Sequence, residues 1–199
     1  EAKPPTDLPT SRCFQGTGQA CLNSNLLDAR QGVQVTFKSS PFGTQSHGFE
    51  SNNSFLLSAY GERLLIGTGR RDTYGSEHHV KWMWTTRSVN NITVDGIGQT
   101  GHSSAAQGRI VDFHAGKAID VVVGEAGAAY MGEKTKQNPD GRLLDRFTRS
   151  IVFVKPDLVV VFDRLEARQK SSYQYWLHSV NQFDVKNQDD IRVQSGEAA

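Results

Sequence analysis

The sequence predicts an all-β chain that folds as a two-sheet antiparallel β-sandwich. Its apolar runs are short, rich in β-branched residues and separated by Gly, Asn or Asp, and glycine is abundant at 19 of 199 residues. The runs recur at a spacing of about eight to twelve residues, which is typical of sandwiches. No segment of about ten or more residues shows the 3.6-residue period of an amphipathic helix. These features together favour a sandwich over a helical or mixed fold.

The clearest strand is residues 33–37, VQVTF, which alternates apolar and polar side chains with period two as a half-buried strand should. Runs of the same kind predict further strands at residues 54–60, 63–66, 91–94, 108–113, 119–125 and 173–179. Residues 132–141, GEKTKQNPDG, form the clearest exposed loop. The polar residues 187–199 predict a frayed end or a truncated further strand.

One pair of strands stands apart because it is apolar nearly throughout. Residues 149–154 and 158–162 flank the turn sequence Lys155-Pro156-Asp157. Continuous apolar runs are typical of strands that are covered on both sides. The sequence therefore predicts a hairpin buried on both faces at the centre of a sheet.

Length and charge limit the classes of function. Residues 1–199 suit one domain, and nothing in the composition requires a second. The net charge is only +1, which argues against nucleic-acid or membrane-surface binding through a broad basic face. No apolar run approaches the roughly 20 residues that a membrane span needs. The first residues, EAKPPTDLPTSR, lack the apolar core of a signal peptide, so they are either a processed end or a cut within a longer precursor.

The two cysteines, Cys13 and Cys21, fall on two short strands that we expect to be neighbours. A disulfide is one interpretation, and two thiols that pack as small hydrophobic groups is the other and the favoured one. Their spacing matches no zinc-binding pattern. The cysteines therefore do not indicate a compartment.

Residues 37–55, FKSSPFGTQSHGFESNNSF, are the most informative segment of the chain. The segment leaves one apolar strand, passes a Gly/Pro turn and returns to a second strand. Between the strands it carries a lone histidine, His47, together with Ser46, Asn52 and Asn53. Polar side chains that two strands deliver to one place are how a β-scaffold presents a binding or catalytic surface.

The same segment resembles a signature of the heparinase II/III-like family of polysaccharide lyases, close to F-[RK]-S-S-P-[FY]-G-S-x-S-H-x-H-x-D-x-N-S-F. The positions in register are Phe37, Lys38, Ser39, Ser40, Pro41, Phe42, Gly43, Ser46, His47, Asn53, Ser54 and Phe55. Residues 8–26, 64–82, 89–99 and 146–167 also resemble segments of that family, so the likeness covers nearly the whole chain.

The resemblance implies an architecture larger than this chain. In the family this region is the β-sandwich that follows an N-terminal (α/α) toroid, and no toroid is present in residues 1–199. The resemblance therefore implies that the chain is the β-domain of a longer enzyme, with a helical toroid domain or chain as its partner. It also implies a periplasmic or secreted location.

The chemistry implied is β-elimination on a uronic-acid-containing anionic polysaccharide of the glycosaminoglycan or alginate type. A base removes the proton on C5, a positioned donor or cation neutralises the C6 carboxylate, and an acid protonates the departing O4. By resemblance His47 is the catalytic histidine of the β-domain, either as donor to the carboxylate or as the C5 base. Tyr74 is a candidate proton donor, because related alginate-acting enzymes use a tyrosine from this domain. Packing against a turn is its structural alternative.

Further candidates would bind the substrate. Arg70 and Arg71 follow Gly69 at a predicted strand end, and a guanidinium group suits carboxylate and sulfate. An ordinary solvated charge pair is the alternative for these two. We expect Asn90 to converge on the face that carries Ser46, Asn52 and Asn53. Trp82 and Trp84, on one face of a predicted strand, either stack on sugar rings or pack in the core.

At the family's metal-ligand positions this chain departs from the pattern. The ligands are two histidines and an aspartate, and the corresponding residues here are Phe49, Gly67 and Asn90. Phe and Gly offer no ligand atom in their side chains, and Asn is a weak ligand for zinc. We therefore expect no metal and no other cofactor. His78 and His79, adjacent on a predicted strand, would point to opposite faces and chelate poorly.

Two other functions fit the same residues. A uronyl C5-epimerase shares the abstraction of the C5 proton but returns a proton to the opposite face of the carbon. A non-catalytic β-sandwich that binds carbohydrate or stabilises a partner is the alternative outside enzymes, and it is compatible with the changed metal positions and with a chain that holds no toroid.

Overall fold

The computed structural model describes residues 3–41, 48–196 and 198, and it confirms the all-β fold class. The first sheet has the order β1-β2-β3-β4-β5, and every neighbouring pair is antiparallel. Its strands are β1 (Arg12–Phe14), β2 (Gln19–Asn23), β3 (Val33–Lys38), β4 (Ser54–Ala59) and β5 (Glu62–Leu65).

The second sheet has the order β10-β9-β8-β7 and is also antiparallel. Its strands are β7 (Arg109–Ala115), β8 (Ile119–Glu125), β9 (Leu144–Val154) and β10 (Leu158–Ala167). Two short ribbons complete the strands: β6 (Asn91–Val94) pairs with β11 (Tyr173–Trp176), and β12 (Asp184–Val185) pairs with β13 (Ile191–Arg192). Part of the end that we expected to be frayed is therefore paired, and Ala198 packs into the core.

Helical structure in the described residues is short. Three single-turn 3₁₀ helices span Ala29–Gln31, Thr86–Ser88 and Gly127–Ala129. A five-residue π-helix spans His79–Met83. Across residues 3–41 and 48–196, no helix is long and apolar enough to cross a membrane.

The core lies between the two sheets because each contributes the apolar half of its alternating strands. Val33, Val35 and Phe37 of β3 are buried, while the residues between them are not. Ile151 and Phe153 of β9 face them from the second sheet within one hydrophobic cluster. A second cluster at one end of the sandwich is centred on Tyr130 and Phe147 and joins β6 to β9. The period-two pattern of β3 thus agrees with the side of that strand that is buried.

The hairpin of β9 and β10 forms, but the prediction that it is buried on both faces is wrong. β10 is an edge strand of its sheet, and Leu158, Val160 and Phe162 are 56%, 44% and 65% exposed. Their side chains lie on the outer face, whereas Val159 and Val161 pack against the core. An apolar run shows that the side chains of a strand are hydrophobic. It does not show whether a second layer covers both faces of that strand.

The two faces of this sheet should respond differently to truncation. Phe153 is fully buried, so we expect Phe153→Ala to lower the free energy of unfolding by about 3–5 kcal/mol. Phe162→Ala removes the same atoms from the outer face and should cost under about 1 kcal/mol. Urea unfolding of the two variants checks this, and equal losses would contradict the assignment of faces.

The cysteines lie on paired strands, as expected, with Arg12 opposite Cys21 and Cys13 opposite Ala20. Both thiols are free. Cys13 packs against the core, and this burial raises the pKa of its thiol. Neighbouring register positions place Cys13 and Cys21 on opposite faces of the sheet, which explains why they are not bonded to each other.

Candidate functional site

The candidate site lies at the end of the first sheet where residues 39–53 connect β3 to β4. Phe37 and Phe55 point into the core, so Lys38, Ser54 and Leu56, at the alternate positions, face outward. The end of this outer face and the loops beside it line an open cavity of about 440 Å³. We call it the Lys38 cavity.

The Lys38 cavity has apolar walls and a cationic edge. Its apolar walls include the side chains of Phe49, Leu56 and Val89. Lys38 and Arg70 also line it, and no described acidic residue does. A cavity of this composition suits a ligand that has an apolar face and a negative group.

Lys38 is a partly desolvated cation. Its Nζ donates a hydrogen bond to Ser51 Oγ at 3.1 Å. Burial lowers the pKa of Lys38, and no described charged group contributes to that shift. The Lys38 ammonium group is therefore only partly hydrated and has no described carboxylate partner. Both conditions favour an anionic ligand at this position.

A row of aromatic and histidine rings adjoins the cavity. The ring centroids of Phe49 and Trp84 lie 5.1 Å apart, and those of His79 and Trp84 lie 5.5 Å apart. Trp84 Nε1 donates to His79 Nε2 at 3.3 Å, and His79 is buried. Tyr74 and His102 extend the row at 4.7 Å from His79 and 6.1 Å from Trp84. The row fixes the orientation of the Phe49 ring.

The π-helix His79–Met83 corrects the predicted strand that was to carry both tryptophans and the adjacent histidines. Trp82 packs near Trp176 and its Nε1 donates to Thr68 Oγ1 at 3.2 Å. Trp84 belongs instead to the aromatic row. Helical geometry separates the directions of these two rings, so they do not form one stacking face.

The predicted site residues fall into three groups: those outside the described residues, those at the cavity or on the surface, and the buried asparagines. His47 and Ser46 lie outside the described residues. Arg70 lines the Lys38 cavity, and its carbonyl oxygen is 2.8 Å from His78 Nε2. Arg71 and Tyr74 are exposed, Tyr74 at 81%. Arg70 thus belongs to the cavity and Tyr74 to the aromatic row. Catalytic and binding roles for them stay predictions.

The amides of the motif are buried, in contrast to the predicted contact with substrate. Asn52 accepts from Ser40 N at 2.7 Å and donates to Ala106 O at 3.1 Å. Asn53 is fully buried, adopts a φ of 61° and donates to Phe147 O at 2.9 Å. Both side chains tie the motif segment to the second half of the chain. Their hydrogen bonds hold this loop in place and leave neither amide facing solvent.

Asn90 is likewise fully buried. Its Nδ2 donates to Phe55 O at 2.8 Å and to Ile66 O at 3.1 Å, and its Oδ1 accepts from His178 N at 2.8 Å. One amide therefore joins three segments of backbone. Asn90 therefore stabilises the packing of these segments. Its burial does not support the prediction that it faces the substrate.

Arg149, which the sequence reasoning missed, holds the backbone of Asn53 and Asn90 in place. It is fully buried and forms a bidentate ion pair with Asp163, with Nε and Nη2 at 2.7 and 2.6 Å from the carboxylate oxygens. Its Nη1 donates to Asn53 O at 2.8 Å and to Asn90 O at 3.1 Å. The sequence could have indicated this buried arginine, because Arg149 occupies an inward position of an alternating strand, between Phe147 and Ile151.

Comparison with known proteins agrees with this architecture. The family model described as "Heparinase II/III-like, C-terminal" matches residues 7–198. The chain belongs to the heparinase II/III-like family. No curated protein shows a significant sequence match to it.

Solved structures of the heparinase type share its fold. A heparinase III with methylated lysines superposes with a TM-score of 0.73 at 18% identity, over 96% of this chain and 27% of that one. A heparan sulfate lyase, HepC from Pedobacter heparinus, gives a TM-score of 0.64 at 20% identity, over 82% of this chain and 23% of that one. The chain thus spans about a quarter of these proteins, which are built from more than the β-domain.

The metal positions of the heparinase II/III-like family do not fit a metal in this chain. Phe49 and Gly67 line the Lys38 cavity and carry no ligand atom in their side chains. Both ends of the Asn90 amide are already hydrogen-bonded to backbone. Among the residues that the structure describes, no cluster of three His, Cys, Asp or Glu side chains could hold a metal. Absence of a metal from the protein stays a prediction.

Proposed function

We propose that this chain is the β-domain of a polysaccharide lyase that cleaves a uronic-acid-containing anionic polysaccharide by β-elimination. The observation that carries the proposal is the family match across residues 7–198. The cationic Lys38 cavity beside the His47 motif supports it, because such a substrate brings a negative group on each uronate unit.

The roles follow from the steps of the elimination. Charge develops on the C6 carboxylate as the C5 proton leaves, so a donor or cation at that oxygen lowers the barrier most. We assign His47 to this contact or to removal of the proton, and Tyr74 to protonation of the departing O4. Arg70, Arg71 and Ser46 would bind the polymer, while Asn52, Asn53 and Asn90 hold the segment in place.

The remainder of the active site would come from a helical toroid domain or chain. This chain covers only 27% and 23% of two similar structures, so a large part of such an enzyme lies outside it. We propose a periplasmic or secreted location, because polysaccharides of this kind are extracellular polymers. HepC acts on heparan sulfate, which makes glycosaminoglycans the first substrates to test.

The decisive experiment incubates the whole protein with glycosaminoglycans, alginate and a neutral polysaccharide. We expect an unsaturated uronate product, detected by its ultraviolet absorbance, from at least one anionic polymer and none from the neutral one. Deuterium incorporation at C5 from heavy water without chain cleavage would identify a C5-epimerase instead. Binding without either reaction would identify a non-catalytic module and would overturn the proposed lyase.

A further inference from the structure

We infer that the Lys38 cavity is a subsite for a single acidic sugar unit, whose anionic group is held between Lys38 Nζ and the Arg70 guanidinium. This inference rests on the proposed function and names the place where one unit of the polymer would sit. It concerns residues on the outer face of the first sheet and on the loops that enclose it.

The charge of the cavity supports an anion and disfavours a cation. Lys38 and Arg70 line it, and no described acidic residue does. The described contact of Lys38 Nζ is with the neutral Ser51 hydroxyl at 3.1 Å, which leaves further donor capacity on the ammonium group. A carboxylate or sulfate oxygen would accept the charge-assisted hydrogen bonds that this group offers.

The walls of the cavity fit the carbon skeleton of a sugar ring. Phe49, Leu56 and Val89 are apolar lining residues, and Trp84 at 5.1 Å from Phe49 holds that ring in place. The C–H face of a pyranose packs on such a wall while its acid group points to the cationic edge. The volume of about 440 Å³ lies within the range of small-ligand sites, which suits one sugar unit.

Two glycines determine how much room the loops leave. A Cβ at Gly69 would lie 2.6 Å from Phe49 Cε1 and would also meet the carbonyl oxygen of Met83, so a larger residue there would displace the wall. A Cβ at Gly67 would meet its nearest atoms only at 3.8 Å. Gly67 can therefore accept a side chain, and Gly67→Asp would bring a carboxylate to the lining of the cavity.

Titration calorimetry of the full chain tests the subsite with four probes: glucuronate, N-acetylglucosamine 6-sulfate, inorganic sulfate and glucose. We expect at least one anionic sugar to bind about tenfold or more tightly than glucose. Comparison of glucuronate with the sulfated sugar shows whether carboxylate or sulfate is preferred. Inorganic sulfate shows whether the sugar ring contributes.

Variants that alter or preserve the charge of the cavity lining identify the residues that bind the anion. We expect the dissociation constant of the anionic sugar to rise about tenfold or more in each of the variants Lys38→Met, Arg70→Met and Gly67→Asp. Lys38→Arg, which keeps the charge, should retain binding within about threefold. Arg63→Met is the matched control, because Arg63 is an exposed cation of the same sheet that does not line the cavity. Near-ultraviolet circular dichroism confirms that each variant is folded.

The pKa of Lys38, followed by NMR, gives a second readout. A bound anion favours the charged ammonium, so the anionic sugar should raise that pKa, whereas glucose should not. Binding of glucose as tightly as glucuronate, or an equal loss in Arg63→Met, would overturn the subsite. So would no binding at all, even if the whole protein forms unsaturated products. Binding without such products would instead overturn the lyase proposal and keep the subsite.

Discussion

Replacement of His47 with alanine in the whole protein is expected to lower the turnover number by roughly a hundredfold or more on a polymer that the wild type cleaves. A group that moves the C5 proton or stabilises the developing enediolate contributes on this scale. Because both roles act in the transition state, the loss should fall mainly on kcat and only slightly on KM. Steady-state assay of the unsaturated product gives both constants.

His114→Ala provides the control for this experiment. His114 is an exposed residue of β7 in the second sheet, outside the His47 motif, and its removal should leave kcat unchanged. Thermal unfolding of both variants separates a catalytic loss from a folding defect. Wild-type turnover in a folded His47→Ala enzyme would exclude the catalytic role of this histidine.

Replacement of Arg149 with methionine is expected to lower the free energy of unfolding by about 3–5 kcal/mol. The change leaves the Asp163 carboxylate without its partner, and the Asp163 side chain is only 12% exposed. It also removes the donor to Asn53 O and Asn90 O, which are among the backbone groups that position the motif segment. Urea unfolding monitored by tryptophan fluorescence measures the loss.

The neighbouring ion pair is the matched control for Arg149. Arg146 and Glu166 lie 2.9 Å apart with side chains 40% and 42% exposed, so Arg146→Met should cost under about 1 kcal/mol. The double variant Arg149→Met, Asp163→Leu should recover part of the single loss, because it removes the uncompensated charge as well. Similar losses in Arg149→Met and Arg146→Met would show that the buried pair does not stabilise the sandwich as we describe.

The sequence was sufficient for the features that depend on local pattern. Alternation of apolar and polar side chains predicted β3 and its inward set, Val33, Val35 and Phe37, because period two assigns alternate residues to opposite faces. The motif of residues 37–55 indicated both the family and the end of the sheet where the candidate site lies. The Lys155-Pro156-Asp157 turn correctly predicted the hairpin of β9 and β10.

The sequence could not show which faces a second layer covers. β10 was as apolar as a central strand, yet it is an edge strand with Phe162 exposed. Asn52 and Asn53 belong to the motif and Asn90 was expected to converge on it, yet each of these polar side chains is buried. Burial is a property of the assembled layers, since any polar side chain can be buried once other parts of the chain supply its hydrogen bonds.

The amino-acid sequence by itself determined the all-β class, most of the longer strands and membership of the heparinase II/III-like family. Only the tertiary structure decided that Arg149 joins Asp163 to the backbone carbonyls of Asn53 and Asn90. It alone also decided that Lys38 and Arg70 share one cavity. Residues 38 and 70 are far apart in the chain, and residue 149 is farther still. Their contacts depend on how the sheets pack and how the loops fold back. The local hydrophobic pattern of the sequence carries no information about either.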